Sequence, residues 1–170
     1  MSAPFRIEAL TPQHDRSKFH CGSEPLDRYF KQQVTQDARR RVTACFVAVA
    51  QDGGVVAGYY TLASASVSVT DLPEDLARKL PRYPSIPAVR MGRLAVDQRF
   101  RGRGLGAAML ADALQRSLNA EIAAYALVVD AKDEQAGAFY RHHGFVALTD
   151  DPLALFLPLA TAIDLVKKNI

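Results

Sequence analysis

Apolar and polar residues alternate from Phe5 to Leu10 (FRIEAL), which predicts a half-buried strand. Leu26, Tyr29, Phe30 and Val34 recur at i, i+3, i+4 and i+8, one face of an amphipathic helix. Ser23 followed by Glu24 and Pro25 reads as its N-terminal cap. Thr43 to Ala50 predicts a strand, and Val55 to about Val69 predicts its return. Asp52-Gly53-Gly54 is the turn between them, and Gly58 is a candidate bulge. From Asp71 to Pro87 a connection carries a short helical piece and four prolines, with RYPSIP extended. Arg90 to Asp97 is the next strand. Gly104 to Asn119 is a helix burying Leu105, Met109, Ala113 and Leu114. The nearly continuous apolar run Ala124 to Asp130 suits a central strand. Asp133 to His143 is a helix closed by Gly144, and Phe145 to Leu148 and Leu153 to Leu159 are the last strands. The pattern is α/β, a mixed sheet of six to seven strands flanked by helices, in one domain over residues 1–170.

At 170 residues the chain is long enough for one core, and 49% hydrophobic with 23% charged residues excludes disorder, collagen and coiled coil. No apolar run approaches the roughly 20 residues of a membrane span. The N-terminus has no basic stretch leading into an apolar one, so a cytoplasmic protein is expected. Cys21 and Cys45 are at no metal-ligand spacing, so no metal is expected. The net charge is only +3, but its distribution is uneven. Between Arg78 and Arg103 eight basic residues face one acid, Asp97, and Arg39-Arg40-Arg41 forms a second cluster. Solvated surface charge and a face for a polyanion both fit.

The segment Arg101-Gly102-Arg103-Gly104-Leu105-Gly106 lies between a strand and a helix. Glycines let backbone N–H groups converge, and the helix start adds unpaired N–H groups and a positive dipole end, a cradle for phosphate. No GxxxxGK[ST] run exists, which excludes a P-loop. Gly102, Gly104 and Ala107 formally match the dinucleotide fingerprint, but too little chain follows for that fold.

Arg101, Gly104 and Gly106 also fill R/Q-x-x-G-x-G/A, and here the sequence resembles the GCN5-related N-acetyltransferase (GNAT) family. A second motif agrees: Asp133-x-x-Ala136-x-x-Phe139-Tyr140-x-x-x-Gly144-Phe145, with Asp133 where the family has Asn. Further segments, among them Phe19-His20-Cys21-Gly22, Leu26-Asp27-Arg28-Tyr29-Phe30, Gln36-Asp37, Gly58-Tyr59-Tyr60-Thr61-Leu62, Gly92-Arg93-Leu94-Ala95-Val96-Asp97 and Phe156-Leu157-Pro158-Leu159, are similar to one branch. That branch comprises the toxins of type II toxin–antitoxin pairs, which acetylate aminoacyl-tRNA.

The resemblance implies a set of roles. Acetyl-CoA would lay its pyrophosphate on Arg101, Gly102, Arg103, Gly104, Leu105 and Gly106. Its pantetheine would pair with the backbone of Leu94, Ala95 and Val96 in a groove opening near Val96 and Val128. Asp133 and Phe139 would lie near the cofactor, and Tyr140 would protonate the departing thiolate. An α-amino group has a pKa near 7.7–8.0, so a neutral fraction can attack without a strong base. Arg78, Lys79, Arg82, Arg90 and Arg93 are the candidate tRNA contacts, and Tyr59 and Tyr60 are candidates to line the acceptor groove, although strand alternation turns one of them to the core. The implied partners are aminoacyl-tRNA and a ribbon-helix-helix antitoxin whose complex binds operator DNA, the implied assembly a homodimer, and no membrane is involved. An acetyltransferase for a small amine or protein N-terminus is the alternative; a non-catalytic CoA-binding module is a third, opposed by Tyr140 and the glycine loop.

Overall fold

Gly53 and Gly54 take φ of 82° and 66°, backbone that side-chain-bearing residues avoid, and they close the hairpin of β2 (Ala44–Ala50) and β3 (Val56–Ser68). The structure, a computed structural model, describes residues 4–168. β1 (Phe5–Ala9) pairs antiparallel with β2, from Phe5↔Ala50 to Ala9↔Phe46. Between them run α1 (Glu24–Arg28), a π-helical turn (Tyr29–Gln33) and α2 (Val34–Arg39), without a break. Ser23 occupies the N-cap in extended backbone, but its side chain makes no capping bond, contrary to expectation.

A short 3₁₀ turn (Val69–Asp71) and α3 (Glu74–Ala77) lead to β4 (Ser85–Val96). A second 3₁₀ turn (Gln98–Phe100) and α4 (Leu105–Asn119) connect β4 to β5 (Ala126–Asp130), its parallel neighbour. The crossover helix is what parallel pairing requires. α5 (Glu134–His142) leads to β6 (Val146–Leu148) and β7 (Asp151–Pro158), which pair antiparallel, and β7 also pairs antiparallel with β5. The mixed sheet has seven strands in the order β1-β2-β3-β4-β5-β7-β6. The chain then continues as α6 (Leu159–Lys168). Leu159 therefore opens a helix and does not end a strand, a correction to the sequence reading: Leu159 and Ala162, three apart, are 4% and 0% exposed.

Two compact units result, one from Met1–Ala63 and Gly92–Ala113, the other from Ser64–Met91 and Leu114–Ile170. In the first, the sheet is covered on both faces. Tyr59 joins Phe19, Phe30, Val34, Cys45 and Val47 in one cluster, its ring stacked on Phe30 at 4.1 Å. Tyr60 faces the other way, and its hydroxyl donates to Asp112 on α4. Both tyrosines are 0% exposed: one is expected in the core, but the other does not line an open groove either, which corrects the expectation. A buried ring of this size contributes about 1.5–3 kcal/mol, a sufficient reason for both positions. The register of β2 and β3 slips between Ala48↔Gly58 and Val49↔Val56, which puts a bulge beside Gly58. A Cβ on Gly58 would lie 2.9 Å from the Ala95 carbonyl oxygen and 2.7 Å from Met109 Cε, so close approach demands glycine there. In the second unit Val67, Leu72, Ile86, Ala88, Ala126, Val128 and Phe156 form the core.

Candidate functional site

β4 ends at Asp97, which is 1% exposed. Its Oδ1 accepts from the Arg99 backbone N–H and from Arg99 Nε, both at 2.9 Å. Its Oδ2 accepts from Arg99 Nη2 and the His20 backbone N–H, both at 3.0 Å. Burial alone would raise this carboxyl, but the bonds from Arg99 and His20 outweigh it and hold the group below the ordinary carboxylate value. The chain then turns through the glycine loop. Arg101 reaches back to donate to the Cys21 carbonyl oxygen. Gly22 has φ 93°, and a Cβ there would meet Arg101 Nη2 and Gln98 Nε2 at 2.8 Å each.

Gly102 and Gly104 take φ of 77° and 75°, and no heavy atom lies within 4 Å of where their Cβ atoms would be. The Gly104 carbonyl accepts from Ala108 N–H at 3.0 Å, so this turn is the N-terminus of the fifteen-residue helix α4. Leu105, 2% exposed, anchors the helix start, and Gly106 is half-buried in its first turn. Arg103 lies with its guanidinium 5.3 Å from the Phe100 ring centroid. Open space over positive-φ glycines, unpaired helix N–H groups and two exposed arginines suit a pyrophosphate.

On β4, Ala95 is buried while Leu94 and Val96 are half-buried. Asp97 N–H donates to the Ala57 carbonyl at 2.8 Å, and the Ala95 carbonyl faces Gly58. The backbone of alternate residues points to opposite edges of a strand. Leu94 and Val96 therefore turn their backbone groups away from β3, while Ala95 is committed to it. Val128 lies inside the parallel pairing, opposite Arg90, so the expected opening beside Val128 is corrected: Val128 is a paired core residue.

Tyr140 sits on α5 and is 7% exposed, its ring 5.3 Å from Phe139 and 5.5 Å from Phe145. Its hydroxyl has no hydrogen-bond partner among the described residues, yet no buried side-chain oxygen or nitrogen lacks one. The ring is thus held in apolar packing while the oxygen keeps access to the exterior. Burial raises its pKa above that of an ordinary phenol. Asp133 caps α5, its Oδ1 accepting from Ala136 N–H at 2.8 Å. Gly144, φ 95°, ends the helix as expected. His143 packs on Phe139 at 4.9 Å, and burial, with the neighbouring His142, lowers its pKa.

The basic residues are not equivalent. Arg93 lies in the first unit; Arg78, Lys79, Arg82 and Arg90 lie in the second. Arg93 stacks 3.3 Å from the Tyr29 ring centroid, Arg90 bonds Asp130, and Arg78 bonds Glu74 at 2.8 Å. Lys79 and Arg82 are exposed and have no side-chain partner among the described residues.

Two clusters escaped the sequence reading. His20 Nδ1 lies 3.0 Å from Asp27 Oδ2, with the His20 side chain 65% and the Asp27 side chain 10% exposed. Tyr29 donates to Asp37 Oδ2 at 2.7 Å and Gln33 Nε2 donates to Asp37 Oδ1 at 3.0 Å, beneath Arg93. Neither spacing, seven nor eight residues, is a recognised signal; only the folded turn around Gly22 and the π-helical segment bring these groups together. Among the described residues no three metal-binding side chains converge, and no helix is long and apolar enough to cross a membrane. Cys21 and Cys45 are buried and form no disulfide among the described residues, and burial pushes the Cys45 thiol up to about 12, leaving it unreactive.

The Acetyltransferase (GNAT) family matches residues 7–145. The chain belongs to that family. This GNAT chain is 37% identical over 163 residues to a tRNA-acetylating toxin of Mycobacterium tuberculosis, covering 95% of this chain and 94% of the relative. AtaT complexed with acetyl-methionyl-tRNAfMet superposes with a TM-score of 0.85 at 30% identity, covering 96% of this chain and 99% of AtaT. A mutant AtaT toxin, bound to the C-terminus of the antitoxin AtaR and acetyl-CoA, superposes with a TM-score of 0.77 at 26% identity, covering 96% and 99%.

Proposed function

We propose that this protein, as one catalytic domain, transfers acetyl from acetyl-CoA to the α-amino group of an aminoacyl-tRNA and thereby blocks translation. The observation that carries the reading is the turn at Gly102 and Gly104, open above its glycines and opening α4. In a GNAT chain, that turn calls for a pyrophosphate. Bound acetyl-CoA supplies an activated acetyl group as a thioester.

The chain's own residues do the rest. Backbone N–H groups from Arg101 to Gly106, with the α4 dipole, neutralise the diphosphate. The outward backbone groups of Leu94 and Val96 hold the pantetheine. Asp133 contributes by capping α5, which fixes Phe139 and Tyr140 in place. Tyr140 holds its proton through the whole working range and releases it from Oη to the departing sulfur. The attacking α-amine, with a pKa near 7.7–8.0, needs little help to become neutral. Lys79 and Arg82, with Arg78, Arg90 and Arg93 in support, attract the RNA backbone.

The protein acts in the cytoplasm as a homodimer and is held silent by a ribbon-helix-helix antitoxin, in a complex that binds operator DNA. The test is transfer of labelled acetyl to charged tRNA, together with growth after expression without antitoxin. Acetylated aminoacyl-tRNA and arrested translation are expected. Labelling only of free amines or peptides, with normal growth, overturns the reading.

A further inference from the structure

Tyr83 is 64% exposed, an uncommon degree of exposure for a tyrosine. Its backbone is nonetheless well held. Pro81 and Pro84 flank it, its N–H donates to the Pro81 carbonyl at 2.8 Å, and the Pro84 carbonyl accepts from Val69 N–H at 3.2 Å. The preceding segment is anchored by Leu72, which is buried, and by Leu76, Ala77 and Leu80, which pack on the core of the second unit. The segment is thus two-sided: apolar residues face inward, while Lys79, Arg82 and Tyr83 face outward.

We propose that Tyr83 is a stacking platform for an unpaired nucleotide at the acceptor end of the RNA, with Lys79 and Arg82 engaging the adjoining phosphates. This inference rests on the aminoacyl-tRNA reading above. A planar ring on a proline-stiffened backbone loses little freedom on stacking, and every base presents a π-face, so the contact tolerates any sequence. The two exposed cations, without a side-chain partner among the described residues, stand one and four positions away in the sequence and are available to a single strand's phosphates. An amine-sized substrate would use none of these groups.

The experiment uses an aminoacylated minihelix with its unpaired 3′ end and the full-length protein carrying Tyr83→Ala, Tyr83→Leu or Tyr83→Phe. The Ala and Leu variants should raise the minihelix KM about 5- to 150-fold, the worth of one stacked base, with kcat and acetyl-CoA affinity held. Tyr83→Phe should retain the wild-type KM. An unchanged KM in Tyr83→Ala overturns the platform, and so does an equal loss in Tyr83→Phe, which would assign the role to the hydroxyl. A wild type that acetylates no aminoacyl-RNA overturns the proposed function itself, and the platform with it; the two failures are told apart by the wild-type control.

Discussion

The guanidinium of Arg101 donates to the carbonyl oxygen of Cys21 and so ties the glycine turn to the segment that precedes α1. Gly22 makes the tie possible, because any Cβ there would sit 2.8 Å from Arg101 Nη2. Gly22→Ala should therefore act in two places. The strained positive φ should cost about 1–3 kcal/mol of stability, and displacement of Arg101 should weaken acetyl-CoA binding. Urea unfolding and calorimetry check both; a variant with wild-type cofactor affinity would show that the tie does not support the turn.

Gly104→Asp separates conformation from charge. Space is open around this residue, so only its φ of 75° opposes the substitution sterically. A well-folded protein unable to bind acetyl-CoA is expected, because the carboxylate would face the diphosphate. Measurable affinity by calorimetry would place the pyrophosphate elsewhere.

The sequence disclosed some of this site and hid the rest for definite reasons. Gly53-Gly54, Gly144 and the Gly102–Gly104 turn were legible because positive φ leaves a mark on residue choice. The buried stripe of α4 was legible because Leu105, Met109, Ala113 and Leu114 keep helical spacing. The His20–Asp27 pair was not, since it depends on a loop whose shape is set by Asp97 and Arg101, far away in the chain. The fate of Tyr59 and Tyr60 was also hidden, because alternation assigns opposite faces without revealing that both are covered. Glu74 stands four residues before Arg78, a helical spacing that the sequence shows, whereas Asp130, the partner of Arg90, is forty residues away and became visible only in the fold.

Tyr140→Phe should lower kcat about 10²–10⁴-fold, the usual worth of a general acid, with acetyl-CoA affinity preserved. Stability should hardly change, since the hydroxyl has no partner among the described residues to lose. Burial raises this phenol above its ordinary value. The wild-type rate should therefore climb with pH through the amine's pKa and then level, with no fall up to about pH 10, where an ordinary phenol titrates. An alkaline fall in initial rate near pH 8–9 that vanishes in the Phe variant would mean a lowered phenol and a different role.

Asp97 and Asp27 are both held below the ordinary carboxylate value, hydrogen bonds outweighing burial in each. A carboxyl whose folded pKa is depressed adds stability above its unfolded value, and that stability is lost as pH falls through the folded value. The urea midpoint should therefore hold from neutrality to about pH 4 and fall steeply below it. Asp97→Asn should lower stability at pH 7 by about 2–3 kcal/mol, the scale of bonds to a charged group, and flatten that acid limb. An unchanged acid limb would move the pH sensitivity to other carboxylates.

The π-helical turn from Tyr29 to Gln33 can be restated as an insertion. There the Val34 N–H bonds the Tyr29 carbonyl, five residues back, so the turn holds one residue more than α-helical winding would. Excising one residue would restore regular winding and swing everything from Val34 onward by about 100°. Val34 would leave the core and Asp37 would leave Tyr29, stranding the hydroxyl beneath Arg93. Length in this stretch is thus as tightly constrained as residue identity, and related chains that gain or lose a residue here must rebuild the whole wall that Arg93 leans on.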